Sequence, residues 1–382
     1  MMNRFFFVFL FFFSFHFAKA QDTTYARVVI KKLTSRKFLG RGYVNNGVNK
    51  AAHYLKKEFK TIGLNAFNAS YSQAYLFDVN SFPSKIDVAV DGKKLKAGEH
   101  YLIDPTSQAI KSNFKLIRKD SVTFVSSYEG KEIEVRLKKK LTYTVATGLN
   151  NKVVVELLKD SFKNELKEIN IEFKNKFIRD FESQNIAGYL KGTEQPDSFL
   201  VFSAHYDHLG AMGKTAYFPG ANDNASGVSM LLNLAKYYQK NPSKYSVAFL
   251  LFSGEEAGLL GSKYYTEHPL FPLKEIKFLT NLDLLGTGDD GIMVVNASVY
   301  KSQFEKLVSV NNQKKYVSQI KQRGKAANSD HYWFSEKGVP CFFIYTLGGT
   351  TSYHDVYDVE KTLPLSDYSD VGKLLIDFNN RL

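Results

Sequence analysis

Five short stretches of the chain carry residues that can hold a metal ion or move a proton. They are His205-Tyr206-Asp207-His208, the run GANDNASG around Asp223, Ser253-Gly254-Glu255-Glu256, Asp283-Leu284-Leu285-Gly286 and Tyr353-His354-Asp355. Glu255 and Glu256 are adjacent and directly follow the apolar run VAFLLF. Two like charges at the end of a buried strand repel, and burial makes that repulsion costlier. A solvated surface loop could hold them. A metal also explains them, one carboxylate being ligand and the other base. Zinc accepts imidazole nitrogen and carboxylate oxygen, and a catalytic site keeps a position open for water. A pair of metals needs a bridging carboxylate with further ligands on each side. The inventory suits such a pair: two His, two Asp and one Glu as ligands, one Glu to spare as base. Metal charge would make the cluster of acids tolerable.

The elements that must position these residues are legible from about residue 186 onward. Apolar runs alternate with helical patterns: IAGYL, FLVFSA, a helix over 224–238, SVAFLLF, a helix over 258–266. Then follow IKFLTNL, IMVVN, a helix near 300–310, VPCFFIYT and a C-terminal helix after Ser366. Fully apolar strands alternating with helices predict a three-layer α/β/α fold around a central mixed, mostly parallel sheet. Ligands in such sheets bind beyond the carboxyl ends of the strands. The five chemistry-bearing stretches sit after such runs or at a following helix start, with Asp223 at or near an N-cap.

Upstream, Val48, Ala51, Leu55, Phe59 and Ile62 recur at helical spacing and Gly63 closes the pattern. Residues 81–159 read instead as a β-rich insertion of open role. Ile86, Val88 and Val90 alternate before Asp91-Gly92, and VTFVSSYEGKEIEVRL repeats the theme around Glu129-Gly130. Residues 21–80 and 160–382 then form the main domain. Residues 1–20, MMNRFFFVFLFFFSFHFAKA, have the layout of a secretory signal peptide, with Ala18-Lys19-Ala20 as cleavage site. Its apolar stretch is shorter than the roughly 20 residues of a spanning helix, so the mature chain is expected to be exported, periplasmic or secreted, without a membrane span. Cys341 is the only cysteine and lies in an apolar run, so no intramolecular disulfide can form and a buried hydrophobe is expected there. Net charge is +13, but the basic residues are scattered apart from Arg136–Lys140. With no nucleic-acid module, a solvated basic face is the default and nucleic acid is not an expected partner.

Taken in order, HYDHLG, GANDNASG, FSGEEAGLLGS, NLDLLG, SDHYWF and YHDVYD resemble the motifs of the co-catalytic di-zinc aminopeptidases, metallopeptidase family twenty-eight. LGRGYVNNGVNKAAHYLKKEFKTIGL is similar to that family's N-terminal helix region. The resemblance covers roughly residues 35–70 and 183–382, and leaves out 81–160. It implies two Zn(2+) per chain and a peptide substrate cut at its N-terminal bond. It implies that His205 and Asp283 bind one zinc, Glu256 and His354 the other, and that Asp223 bridges both. Glu255 would be the general base that takes a proton from the attacking water and returns it to the leaving amine. Asp207 would orient the ring of His205, and Tyr353 would hydrogen-bond the tetrahedral intermediate. Two further classes stand beside this one: a glutaminyl-cyclase-like single-zinc acyltransferase, and a catalytically inactive binding protein of the same fold. Both expect a missing ligand, and here all five ligand positions and the base are filled.

Other residues have ordinary readings. His208 reads as packing behind the ligands. Ser329-Asp330-His331 cannot form a triad, because triad members come from separated chain segments. His53 and His100 read as surface, His268 as loop, and Asp355 and Asp358 as hydrogen-bonding loop residues. Gly227 and Gly286 read as points of close packing. Loops 211–219 and 345–352 are the expected walls of a side-chain pocket.

Overall fold

The apolar runs become the strands of one nine-stranded mixed sheet. The structure, a computed structural model, describes residues 22–128, 130–162 and 165–382. The expected signal peptide and Glu129 lie outside the described residues. The strands are β1 (Ser72–Ser81), β2 (Lys176–Leu190), β3 (Gln195–His205), β4 (Tyr245–Phe252), β5 (Ile276–Leu282), β6 (Ile292–Val295), β7 (Ile320–Gln322) and β8 (Cys341–Thr346). Their order is β2-β4-β3-β5-β8-β6-β7, with β1 and the short pair Asn65–Ala66 both on β2. The four central strands, β4, β3, β5 and β8, are mutually parallel. All eight residues of β4 are buried, as expected of a strand covered on both faces.

Alternate residues of β3 meet different layers. Leu200, Phe202 and Ala204 pack with helices α1 (Thr23–Leu33), α2 (Gly47–Ile62), α3 (Gly227–Lys240), α5 (Lys301–Lys314) and α7 (Tyr368–Asn379). Phe199 and Val201 pack with Tyr265 of α4 (Leu260–Glu267) and Phe334 of α6 (His331–Glu336). This is the three-layer α/β/α arrangement that the period of the apolar runs predicts. Cys341 is buried in the second of these layers.

Two elements depart from expectation. Helix α1 has no counterpart in the sequence reading, although Ala26, Val29, Ile30 and Leu33 have helical spacing and Asp22 caps it by accepting from Thr24 N and Tyr25 N. Helix α3 begins at Gly227, so Asp223 is not its N-cap. Residues Ala221–Ser226 form a separate turn in which Asp223 is non-helical, at φ −105° and ψ 100°. The reason lies elsewhere in the chain: the Asp358 carboxylate accepts from Asn222 N at 2.8 Å and from Asp223 N at 3.0 Å. Those amides are therefore held by a distant side chain, not by a helix.

The middle of the chain forms a five-stranded and a four-stranded sheet with a core of their own. The pairing Val90 with Lys93 closes a two-residue turn on Asp91 and Gly92, both at positive φ, the geometry that Asp-Gly favours. A later strand, Glu168–Phe173, pairs with both Asp87–Val90 and Ile110–Lys115, so the β-rich part runs on past residue 159. Leu209, Met212, Ala216 and Phe218 belong to the same core. Loop 211–219, expected as a pocket wall, is thus spent on joining the two parts.

A single buried cation ties the strand-end loops together. The Arg41 guanidinium has no measurable exposure. It donates to five backbone carbonyls: Leu33, Tyr206, Pro219, Gly220 and Asp223. Burial lowers its pKa, and Tyr217, Asp223, Asp358 and Asp207 pull it back. Next to it the chain passes so close to Gly210 that a Cβ on Gly42 would lie 2.4 Å from Gly210 Cα. Replacing Arg41 by Met removes a buried donor from all five carbonyls. Hydrogen bonds from a charged donor contribute about 1.5–3 kcal/mol each, so Arg41→Met is expected to lower unfolding free energy by roughly 3 kcal/mol or more. Denaturant unfolding checks this, and a change within about 0.5 kcal/mol, typical of a neutral surface site, would contradict it.

Candidate metal centre and active site

The parallel register brings the reactive residues to one edge. His205, the last residue of β3, pairs with Phe252, the last of β4. Ser203 pairs with Asn281 on β5, and Leu282 pairs with Ile344 on β8. Glu255 and Glu256 follow β4, Asp283 follows β5, and His354 arrives on the loop after β8.

Asp223 stands at the centre. Its Oδ1 is 3.3 Å from His205 Nε2, and its Oδ2 is 3.2 Å from His354 Nε2. The same nitrogen of His205 lies 3.4 Å from Asp283 Oδ2. The same nitrogen of His354 lies 3.2 Å from Glu256 Oε2. One carboxylate therefore faces two imidazoles, and the Nε2 of each also faces a second carboxylate. Ligand atoms of His205, Asp223 and Asp283 converge within 4.8 Å of one another, as do those of His205, Glu255 and Glu256, and of His208, Asp223 and Glu256. Asp283 Oδ1 is buried without a hydrogen-bond partner. An oxygen stranded in this way fits a cation better than a purely proteinaceous network.

The electrostatics follow from the crowding. Burial would raise the Asp223 carboxyl, but His205 and His354 hold it well below its ordinary value. Burial would likewise raise Glu256; His354 and His208 outweigh both burial and the repulsion of Asp223 and leave it at about 2. Burial would lower His354, yet Glu256 and Asp223 hold it up at about 11. Glu255 differs from its neighbour. Burial raises it, and Glu256, Asp330 and Asp283 add to that against the pull of His205, so its carboxyl stands well above the ordinary range. The two adjacent glutamates thus titrate in opposite directions.

The remaining expected residues land as follows. Asp207 lies 3.7 Å from His205 Nδ1, longer than a hydrogen bond. Its shorter contacts are Tyr43 Oη, donating at 3.0 Å, and Glu255 N, donating at 3.3 Å. It therefore holds the backbone that carries Glu255. His208 Nδ1 is 2.7 Å from Glu256 Oε1, leaving Oε2 to face His354. Tyr353 is 46% exposed, and its ring stacks on His354 at 4.0 Å between centroids. Ser329, Asp330 and His331 make no relay. Ser329 Oγ donates to Asp283 Oδ2 and accepts from Asn281 Nδ2. His331 is buried and pushed down to about 3, chiefly by burial. His53 and His268 are exposed.

His205, Asp223, Glu255, Glu256, Asp283, Tyr353 and His354 line a cleft of about 300 Å³ together with Leu284, Asn328, Phe343 and Tyr345. From the loops expected as pocket walls, Tyr345 lines it and 211–219 does not. Arg41, Tyr43, Asn281 and Tyr143 support the site without having been picked out in the sequence, because nothing local marks them. Arg41 alone has a trace, the positive-φ run Leu39-Gly40-Arg41 within LGRG.

Comparison with known proteins places this geometry. The model for peptidase family M28 matches residues 185–379. Aminopeptidase YwaD of Bacillus subtilis is 30% identical over 258 residues, which is 64% of this chain and 55% of that protein. A vacuolar membrane protease of Candida glabrata is 32% identical over 126 residues, 32% of this chain and 12% of that protein. The chain thus spans about half or less of the length of these curated relatives. Among solved structures, BSAP, a zinc aminopeptidase from Bacillus subtilis, superposes with a TM-score of 0.69 at 19% identity, covering 94% of this chain and 95% of that one. The Porphyromonas gingivalis glutaminyl cyclase superposes with a TM-score of 0.56 at 13% identity, covering 96% and 100%. These structures establish the shared fold. The match over residues 185–379 takes in half of the chain and contains His205, Asp223, Glu255, Glu256, Asp283, Tyr353 and His354; the chain belongs to peptidase family M28.

Proposed function

We propose that the protein is an exported zinc-dependent aminopeptidase that binds two zinc ions per chain. The observation that carries this is the Asp223 carboxylate, with one oxygen toward His205 and the other toward His354. His205 and Asp283 would hold one ion, His354 and Glu256 the other, and Asp223 would serve both. The names of the similar proteins, an aminopeptidase and a zinc aminopeptidase of Bacillus subtilis, support the substrate class and the metal. Export rests on the pattern of residues 1–20. Among the described residues no helix is long and apolar enough to cross a membrane.

Bound zinc supplies polarisation of the scissile carbonyl and a lowered pKa for water. The chain's own groups supply the rest. Glu255, from its place on the cleft beside the ligand set, takes a proton from the attacking water and delivers it to the leaving amine nitrogen. Asp207 fixes the Glu255 amide and so aims that carboxylate. Tyr353, stacked on His354 at the cleft, is a neutral hydrogen-bond donor at neutral pH. Its hydroxyl can donate to the oxyanion as it develops.

Glu255→Gln is expected to keep both zinc ions and to lower kcat by about 10²–10⁴-fold, read on aminoacyl-nitroanilides with N-blocked peptides as the control. Turnover at the wild-type rate would remove Glu255 from the base role. One zinc per chain together with cyclisation of N-terminal Gln would move the protein to the cyclase class, whose fold it shares. No tight metal would leave a binding protein.

Zinc affinity should also depend on pH in a definite direction. At any pH below about 11 the metal-free His354 carries a proton that zinc must displace. Affinity should therefore rise with pH between 6 and 8, by about tenfold per pH unit for each proton displaced. Competition titration against a chelating indicator reads this, and a flat profile would contradict it.

A further inference from the structure

We propose that the β-rich segment is a working part of the His354 half of the site. The backbone of Tyr143 selects the conformation and the tautomer in which His354 Nε2 faces Asp223 and Glu256. This rests on the reading of His354 as a zinc ligand.

His354 sits at φ +54°, in the left-handed region that a non-glycine residue enters only when its surroundings impose it. The surroundings here are residues 140–143. Tyr143 N donates to the His354 carbonyl at 2.8 Å. In return His354 Nδ1 lies 3.1 Å from the Tyr143 carbonyl oxygen. A carbonyl only accepts, so the proton sits on Nδ1 whenever the ring is neutral, and the lone pair is left on Nε2. That nitrogen is 3.2 Å from both Asp223 Oδ2 and Glu256 Oε2. A ligand histidine whose second nitrogen is held by a carbonyl is the usual means of fixing ring and tautomer.

The segment grips the same loop on both sides of His354. Lys140 Nζ donates to the Thr351 carbonyl at 2.7 Å and lies 3.2 Å from Asp355 Oδ2. Val356 fills the space over Gly98, where a Cβ would come within 2.6 Å of its Cγ1. Tyr143 is itself immobilised, its ring stacked on Phe218 at 4.7 Å and 7° inside the β-rich core. The ring of His205 faces Asp283 and Asp223, the latter shared with His354, and both come from strand-end loops of the main sheet. The two halves of the site therefore depend on different parts of the chain.

The test compares the full-length wild type with Tyr143→Phe, which keeps the stacked ring, and Tyr143→Ala, which frees the backbone. Stepwise Zn(2+) titration and hydrogen exchange, before and after zinc addition, are the readouts. Tyr143→Phe should behave as wild type. Tyr143→Ala should bind one of the two ions about 10–100-fold more weakly and leave the other unchanged. Exchange should quicken over 350–358 and not over 203–210. Unchanged affinities with unchanged exchange over 350–358 would overturn the proposal. So would equal weakening of both ions with faster exchange throughout, which marks a merely structural residue. A wild type that binds fewer than two ions would count against the two-zinc reading instead, and the exchange comparison, which needs no metal, would still decide this proposal.

Discussion

Four carboxylates and two imidazoles converge at one sheet edge, and the repulsion among those carboxylates is the constraint that the rest of the structure answers. Asp223, Glu255, Glu256 and Asp283 all line the one cleft with His205 and His354. Buried charge is costly unless it is paired, and two imidazoles do not balance four carboxylates. The imbalance shows in the titration of the group: Glu255 and Asp283 are driven up, while Asp223 and Glu256 are held down by the histidines. A dication in each half would reverse the sign of the local field. That makes the arrangement a cation site that burial has tuned, more than a set of ion pairs that stabilise the fold.

Groups that repel one another stay together only if their backbones are held by something else. The holding groups are mostly neutral carbonyls and amides with a few buried side chains. Arg41 gathers the carbonyls of the His205 and Asp223 loops. Asp358 gathers the Asn222 and Asp223 amides. Ser203, Asn281 and Ser329 make a hydrogen-bonded chain that ends on Asp283. Each uses geometry that a point charge alone would not supply: the fork of a guanidinium, the paired oxygens of a carboxylate, the donor and acceptor of one amide. Such a buried network restricts the backbone to one arrangement, and a pair of ligand sets sharing one carboxylate needs that.

The β-rich segment changes how the molecule is divided. By sheet topology it is separate from the main sheet, with strands and a core of its own. By contacts it is not, since loop 209–218 is built into its core and the His354 loop is bonded to residues 140–143. The main sheet brings the ends of β3, β4 and β5 into register, and the segment closes the fourth side.

Much of this was legible in the chain itself. The apolar runs of β3, β4, β5 and β8 announce buried parallel strands, and the reactive residues follow them, because a strand covered on both faces can place polar groups only at its ends. Residue types alone pointed to a candidate metal centre of imidazole and carboxylate. Helix α2 could be bounded from its spacing and from Gly63, because amphipathic period and a left-handed cap are local properties. What tertiary structure decided were contacts between residues far apart in sequence. Asp207, near the His205 ring, also holds the Glu255 amide, and Asp223 left the helix cap for the hold of Asp358. Loop 211–219 went to a second core, and residue 143 met residue 354. Periodicity records which face of an element is buried. It carries no information about which distant carbonyl or amide will lie opposite a given side chain once the sheet has set its register.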